Sequence, residues 1–283
     1  MDGIIFDIEH DSFVDGPGIR TTIFFKGCNL KCAWCHNPES QSSETQLLFY
    51  KDRCTGCGKC AEVCPHGLRE CTFCGKCELY CPVSARKVCG RRSSTEEVIK
   101  EVEKDISFYE FSGGGVTFSG GECMLQIDFL QELLQKCKAK GIHTAVDTAG
   151  NVSWKNFEKI LPFTDLFLYD LKCYSEELHK KGTEVSNQLI LENLKHLSGQ
   201  SEIIIRIPII PGFNTDIAEL KRMADFLKTL ELRDVELLPY HRMGQNKYNA
   251  LGRKCPVFSE PSSDEMEKYK AIFAECAKHN GIK

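Results

Sequence analysis

The sequence predicts an α/β protein, an open barrel of about six β-α units interrupted near its start by a cysteine-rich insertion. Three observations predict it. Short apolar segments alternate with amphipathic stretches from residue 95 onward, eleven of the 17 cysteines crowd between residues 28 and 81, and residues 38–93 lack sustained apolar periodicity. With 283 residues, 42% hydrophobic and 27% charged, the chain has apolar material for one large core and a small module besides.

Along the chain, Gly3–Ile8 and Ile19–Phe25 are apolar segments joined by the turn Asp15-Gly16-Pro17-Gly18. The second is a strand whose end delivers the first cysteines. Residues 38–93 hold eight more, and a segment of that kind folds around metal rather than around an apolar core. Arg91-Arg92-Ser93-Ser94-Thr95 then supplies an N-cap, with Glu96 and Glu97 in the first turn, for a helix to about Phe111. Next come strand Val116–Ser119, helix Met124–Lys140 stopped by Gly141, strand Ile142–Asp147, helix Ser153–Leu161 and strand Leu166–Leu171. Helical segments within Ser175–Leu197, strand Ile203–Pro208, helix Asp216–Leu230, strand Val235–Pro239 and a last helix near Ser263–His279 complete the series.

These units are too few for a closed eight-stranded barrel. The expected architecture is a partial (β/α)6 TIM-like barrel over residues 1–40 and 93–283, with the insertion at 41–92. Chemistry in such a barrel sits at the carboxyl ends of the strands. There the sequence places Ser119-Gly120-Gly121-Glu122, Asp147-Thr148, Asp170-Leu171-Lys172, Arg206 and His241, with Cys28–Cys35 following the first parallel strand.

Charge and hydropathy exclude some partners. The chain carries 36 basic and 40 acidic residues, a net charge of −4 without a basic block, which argues against nucleic acid. No apolar run approaches the ~20 residues of a bilayer span. The start lacks a basic segment followed by an apolar one, so no secretory signal is expected and the expected location is cytoplasmic. In that reducing compartment clustered cysteines are ligands rather than disulfides.

Cys28-x3-Cys32-x2-Cys35 supplies three thiolates, one fewer than a closed site needs, so one iron of a [4Fe–4S] cluster is left for a small molecule. Zinc with His36 as fourth ligand is the alternative, and His36 is awkwardly close to Cys35 for it. The insertion reads C-x2-C-x2-C-x3-C-P twice, the bacterial ferredoxin pattern, in which the fourth cysteine serves the other cluster. The expected sets are Cys54, Cys57, Cys60 and Cys81, and Cys71, Cys74, Cys77 and Cys64. Only Pro65–Glu70 separates the runs, so the usual intervening hairpin is trimmed. A zinc ribbon would not need four close cysteines twice over. Cys137, Cys173, Cys255 and Cys276 are isolated and structural, Cys123 is a small buried residue near the site, and Cys89 is unassigned.

Gly120 and Gly121 let backbone approach a ligand, and Glu122 can accept bonds from an ammonium group; a plain tight turn is the bland alternative. Asp170 and Lys172, two apart on a strand, share a face, where Lys172 can bind a carboxylate or simply pair with Asp170.

The triad, with the run Gly16-Pro17-Gly18-Ile19-Arg20…Phe24-Phe25-Lys26-Gly27-Cys28-Asn29-Leu30-Lys31-Cys32-Ala33-Trp34-Cys35-His36-Asn37-Pro38-Glu39, resembles the glycyl-radical-enzyme activating enzymes of the radical S-adenosylmethionine superfamily, those like pyruvate formate-lyase activating enzyme. Ser119–Glu122, Asp170-x-Lys172 and Leu238-Pro239-Tyr240-His241 extend the likeness through nearly the whole chain. The resemblance implies an oxidoreductase with three [4Fe–4S] clusters that cleaves S-adenosylmethionine to a 5′-deoxyadenosyl radical. That radical takes the Cα hydrogen of a glycine on a partner glycyl radical enzyme. It implies cosubstrate contacts from Trp34, Cys35, His36, Gly120, Gly121, Glu122, Asp170, Leu171, Lys172 and His241. Asp147, Thr148, Leu168 and Asp170 match positions that hold Na+ or K+ in some relatives. Reduced flavodoxin or ferredoxin is the implied electron donor. The identity of the partner stays open among pyruvate formate-lyase and the diol, choline, hydroxyproline and sulfonate lyases. The rival expectations are a radical enzyme acting on a small molecule or peptide, and a multi-cluster electron carrier.

Overall fold

A computed structural model describes residues 1–276. Its strands are β1 (Asp2–Ser12), β2 (Arg20–Phe25), β3 (Gln46–Phe49), β4 (Arg86–Cys89), β5 (Arg91–Ser94), β6 (Gly115–Gly120), β7 (His143–Thr148), β8 (Leu166–Asp170), β9 (Glu202–Ile209) and β10 (Asp234–Pro239). The α-helices are α1 (Lys59–Glu62), α2 (Lys76–Leu79), α3 (Thr95–Glu103), α4 (Ile106–Ser112), α5 (Ile127–Ala139), α6 (Trp154–Ile160), α7 (Glu176–Thr183), α8 (Gln188–Leu197), α9 (Ile217–Leu227), α10 (Gln245–Ala250) and α11 (Ser263–Phe273).

Eight strands form one sheet in the order β10-β9-β8-β7-β6-β2-β1-β5. The six from β2 through β10 are parallel, as the alternating pattern predicts, and β1 and β5 extend the open edge antiparallel. Strands covered on both faces read as continuous apolar runs, and β8 buries Leu166, Phe167, Leu168 and Tyr169 completely. Phe167, Tyr169, Ile203 and Ile205 meet the helices, among them Leu130, Leu133 and Leu134 of α5 and Leu220, Met223 and Leu227 of α9. Ala145, Leu166, Leu168 and Ile204 form a small separate cluster inside the barrel. The period of two therefore stacks Asp147 above Ala145, Asp170 above Leu168 and Arg206 above Ile204, so an apolar floor gives way to a polar mouth.

Four elements differ from the sequence expectation. Arg91–Ser94 is not only a helix lead-in but a strand paired with β1, and Ser94 caps α3 in a capping box with Glu97. The helix expected to reach Phe111 breaks at Asp105, whose buried carboxylate accepts from Thr21 Oγ1 and pairs with His10. Inside the segment without periodicity, β3 and β4 form an antiparallel pair (Phe49 opposite Arg86, Gln46 opposite Cys89) that closes the neck of the insertion. A 3-10 turn over Cys123–Gln126 precedes α5, where a helix from Met124 is expected. The far end of the last expected helix, residues 277–279, lies outside the described residues. Among the described residues no helix is long and apolar enough to cross a membrane.

Candidate active site at the carboxyl ends of the strands

A cavity of about 460 Å³ opens at the barrel mouth and is lined by Cys28, Cys32 and Cys35, by Gly120 and Gly121, and by Asp147, Asp170, Lys172, Arg206 and His241. The strand ends and the cysteine loop thus meet in one place. The loop is fastened on both sides: Lys31 N and Ala33 N donate to Thr183 O and Gly182 O at the end of α7, and Gly27 N donates to Ser40 O. Trp34 anchors its middle, packed 4.3 Å from the Phe213 ring.

Gly120 and Gly121 line the cavity, and they are also required by their neighbours. Gly120 has φ +119°, and a Cβ there would lie 2.2 Å from Phe25 N; one on Gly121 would lie 2.2 Å from Gly27 O. That closeness lets Gly121 N and Glu122 N donate to Phe25 O and Gly27 O, tying the end of β6 to the root of the cysteine loop. Glu122 is placed differently from the sequence expectation. Its carboxylate turns away from the cavity and is 1% exposed, accepting from Thr148 Oγ1, Ala149 N and Met124 N. Burial pushes its pKa up to about 7 against those donors.

A belt of charge crosses the mouth. Lys172 Nζ donates to Asp170 Oδ2 at 2.8 Å. Burial works against the Lys172 ammonium, yet Asp170 and the Cys32 thiol outweigh it and hold its pKa above the ordinary lysine value. Arg206 NH1 lies 3.3 Å from Asp147 Oδ2 and 3.7 Å from Asp15 Oδ1, and its Nε and NH1 have no hydrogen-bond partner among the described residues. Burial pushes Asp147 upward, opposed by Arg206. Of the residues matching a monovalent-cation site, Asp147 also accepts from Ser119 Oγ, Thr148 Oγ1 donates to Glu122, and Leu168 lies in the barrel floor. Leu171 is buried outside the cavity lining, its amide donating to Arg206 O.

His36 stacks on His241 with centroids 4.0 Å apart, and its Nε2 donates to His241 O. Burial, with the neighbouring His241, pulls His36 down to about 4, so the ring is neutral. One ring nitrogen is committed to a carbonyl, which leaves His36 poorly placed as a fourth metal ligand. Burial pushes the thiols of Cys28 and Cys32 up to about 12 and Cys35 to about 11. Three such thiols ionise only if a cationic centre neutralises them, which is the donor chemistry an iron–sulfur cluster uses. Among the described residues no three His, Cys, Asp or Glu side chains converge as on a single ion; a cubane instead spreads its thiolates over separate irons.

The insertion is built as a tandem. Gly58 and Gly75, both left-handed with φ 77° and 75°, open the four-residue helices α1 and α2, which carry Cys60 and Cys77. In each run the last cysteine accepts a main-chain amide four residues on, Leu68 N to Cys64 Sγ at 3.3 Å and Ala85 N to Cys81 Sγ at 3.2 Å. Cys54, Cys57 and Cys60 line one small cavity together with Cys81, the fourth cysteine of the other run. Of the isolated cysteines, Cys89, Cys123, Cys137, Cys173 and Cys276 are buried and Cys255 is half-buried.

Sequence reasoning did not bring Asp15 to the mouth, and it placed Arg206 there without a partner. Asp15 appears in the sequence as a turn residue, yet it accepts from Ser12 Oγ and Thr22 Oγ1 while facing Arg206. Arg206 is a single charge in the run Ile203–Ile207, and that interruption is the signal that marks it.

A half-buried thiol trio and an ammonium–carboxylate pair at the mouth of an open barrel define an S-adenosylmethionine-dependent iron–sulfur oxidoreductase. Residues 59–227 match the radical SAM superfamily, and residues 14–60 match a 4Fe-4S single cluster domain. The chain is 46% identical to the trans-4-hydroxy-L-proline dehydratase activating enzyme of Clostridioides difficile, over 96% of each chain. It is 42% identical to the (2S)-3-sulfopropanediol dehydratase activating enzyme of Klebsiella oxytoca, over 99% of this chain and 95% of that one. A solved domain of pyruvate-formate lyase-activating enzyme from Bacteroides vulgatus is 32% identical, with a TM-score of 0.50 over 58% of this chain and 98% of that one. The chain belongs to the glycyl-radical-enzyme activating enzymes of the radical SAM superfamily.

Proposed function

We propose that this chain activates a partner glycyl radical enzyme by abstracting the Cα hydrogen of one glycine, and that its own residues divide the work as follows. Cys28, Cys32 and Cys35 hold the [4Fe–4S] cluster. When bound, it supplies the electron that splits S-adenosylmethionine into methionine and the 5′-deoxyadenosyl radical that takes the hydrogen. Lys172, steadied by Asp170, binds the cosubstrate carboxylate, and the backbone at Gly120 and Gly121 receives its ammonium. Glu122, turned inward, fixes the ends of β6 and β7 rather than touching the ligand. Trp34 shapes the loop, and the stacked His36 and His241 wall the cavity beside Cys35. Asp15, Asp147 and Arg206 form a charged rim where the partner's glycine segment enters. The observation that carries this reading is the meeting of the thiol trio with the Asp170–Lys172 pair in one cavity.

Residues 41–92 form the inserted ferredoxin-like domain, with two further [4Fe–4S] clusters on the cysteine sets given above, which relays electrons from a reduced flavodoxin or ferredoxin in the cytoplasm. The paired Cys64 and Cys81 amide bonds support that assignment, because amide–sulfur bonds tune such clusters. A Na+ or K+ ion at Asp147, Thr148, Asp170 and the Leu168 carbonyl competes in the belt with Arg206 and Lys172, and activity that rises with K+ is its mark. The partner itself is sought first among trans-4-hydroxy-L-proline and (2S)-3-sulfopropanediol dehydratases, because the relatives at 46% and 42% identity are named as activating enzymes of those.

The test is anaerobic incubation of the reduced protein with S-adenosylmethionine and candidate glycyl radical enzymes. 5′-Deoxyadenosine together with a glycyl electron-spin signal is the expected result. Cleavage without a glycyl signal on any candidate would favour a small-molecule or peptide substrate, and no cleavage would leave an electron carrier.

A further inference from the structure

Arg86 opens β4 at the neck of the insertion, opposite Phe49 of β3, and its guanidinium lies 4.6 Å over the Phe49 ring. It lines the small cavity with Cys54, Cys57, Cys60 and Cys81. Its Nε is buried and has no hydrogen-bond partner among the described residues. A buried guanidinium nitrogen left without an acceptor is costly, so its retention here asks for a negative neighbour. Lys59 shares the cavity wall but is exposed, so solvent screens it.

We propose that Arg86 is a redox-tuning cation, held by Phe49 against the cluster of Cys54, Cys57, Cys60 and Cys81, and that it raises the reduction potential of that cluster. The inference rests on the ferredoxin-like reading of the insertion. Reduction adds one electron and one negative charge to a site already rich in thiolates. A fixed cation at short range therefore stabilises the reduced form more than the oxidised one. The ring beneath the guanidinium restricts it to the cavity side and shields it from water, which strengthens its effect. Lining the cavity of Cys54, Cys57, Cys60 and Cys81, it favours the electron's residence on that cluster.

The experiment is a spin-resonance-monitored redox titration of the full chain carrying Cys28→Ala, Cys32→Ala and Cys35→Ala, so that only the insertion's signals remain, at about eight irons per chain. Arg86→Gln is expected to shift one couple negative by about tenfold in its reduction equilibrium, roughly 59 mV for one electron. Arg86→Lys should stay close to the parent. Arg86→Gln with full iron and unmoved potentials overturns the tuning and leaves the clusters intact. A parent triple variant without iron overturns the tuning together with the ferredoxin-like reading. If Arg86→Gln itself loses iron, Phe49→Leu decides: it keeps the cation but frees it toward water. A negative shift there supports the proposal, and an unmoved couple overturns it.

Discussion

Between Cys54 and Ser84 no side chain is buried, and Leu68, Phe73, Leu79 and Tyr80 stand out toward solvent. In the barrel, α5 alone buries Phe129, Leu130, Leu133, Leu134 and Cys137. The two regions share one chain and are held by different forces. The barrel has an apolar core large enough to offset its conformational entropy without help. The insertion has two four-residue helices and eight thiols, so its cohesion must come from what those thiols bind. The lesson is that stability and chemistry are coupled in the insertion and largely separate in the barrel.

The sharpest way to break this comparison is to strip the iron anaerobically with a chelator. Amide exchange across residues 54–84 is expected to reach unfolded-chain rates, with tryptic cleavage at Lys59, Arg69 or Lys76, while β7, β8 and β9 stay protected. An insertion that remained protected without iron would show that packing alone holds it. Next in size is a cavity in the barrel. Leu133→Ala, at a fully buried site, is expected to cost about 3–4 kcal/mol and roughly 10 °C in melting temperature. Leu79→Ala, 78% exposed, should change stability by less than about 0.5 kcal/mol. Calorimetry that found the two alike would overturn the contrast.

The smallest effect concerns pH. Glu122 has its folded pKa raised by burial from 4.5 to about 7, so across that window the folded chain binds more protons than the unfolded one. Stability therefore falls as pH rises from 4.5 to about 7, by about 1–3 kcal/mol. Urea midpoints taken across the window should slope downward, and Glu122→Gln should flatten the slope. A rising slope, or one unchanged in the variant, would mean that Thr148, Ala149 and Met124 hold the carboxylate ionised throughout.

The six parallel strands were legible because β8 and β9 are apolar runs of strand length flanked by helical periodicity. The two C-x2-C-x2-C-x3-C-P runs were legible from spacing alone. What the sequence hid was decided at long range. β3 and β4 pair across some forty residues, and β5 is an edge strand of two arginines and two serines, which carries no apolar alternation. The break at Asp105 depends on Thr21 and His10 of the first hairpin. Glu122 was recognisable as a strand-end carboxylate, but its inward turn follows from donors at Thr148 and Ala149, which sequence order does not place beside it. Asp15 gains its facing partner Arg206 only when β2 and β9 enclose one mouth.

The β3–β4 pair has a consequence for how such a chain can vary. Phe49 and Arg86 face each other across the ladder, so the backbone leaves the barrel and returns to it at positions about 5 Å apart. A tight turn joining those two residues would bypass everything between them without asking any barrel strand to move. The cysteine-rich annex is therefore detachable in principle, free to be lengthened, exchanged or lost while the radical-generating mouth keeps its shape.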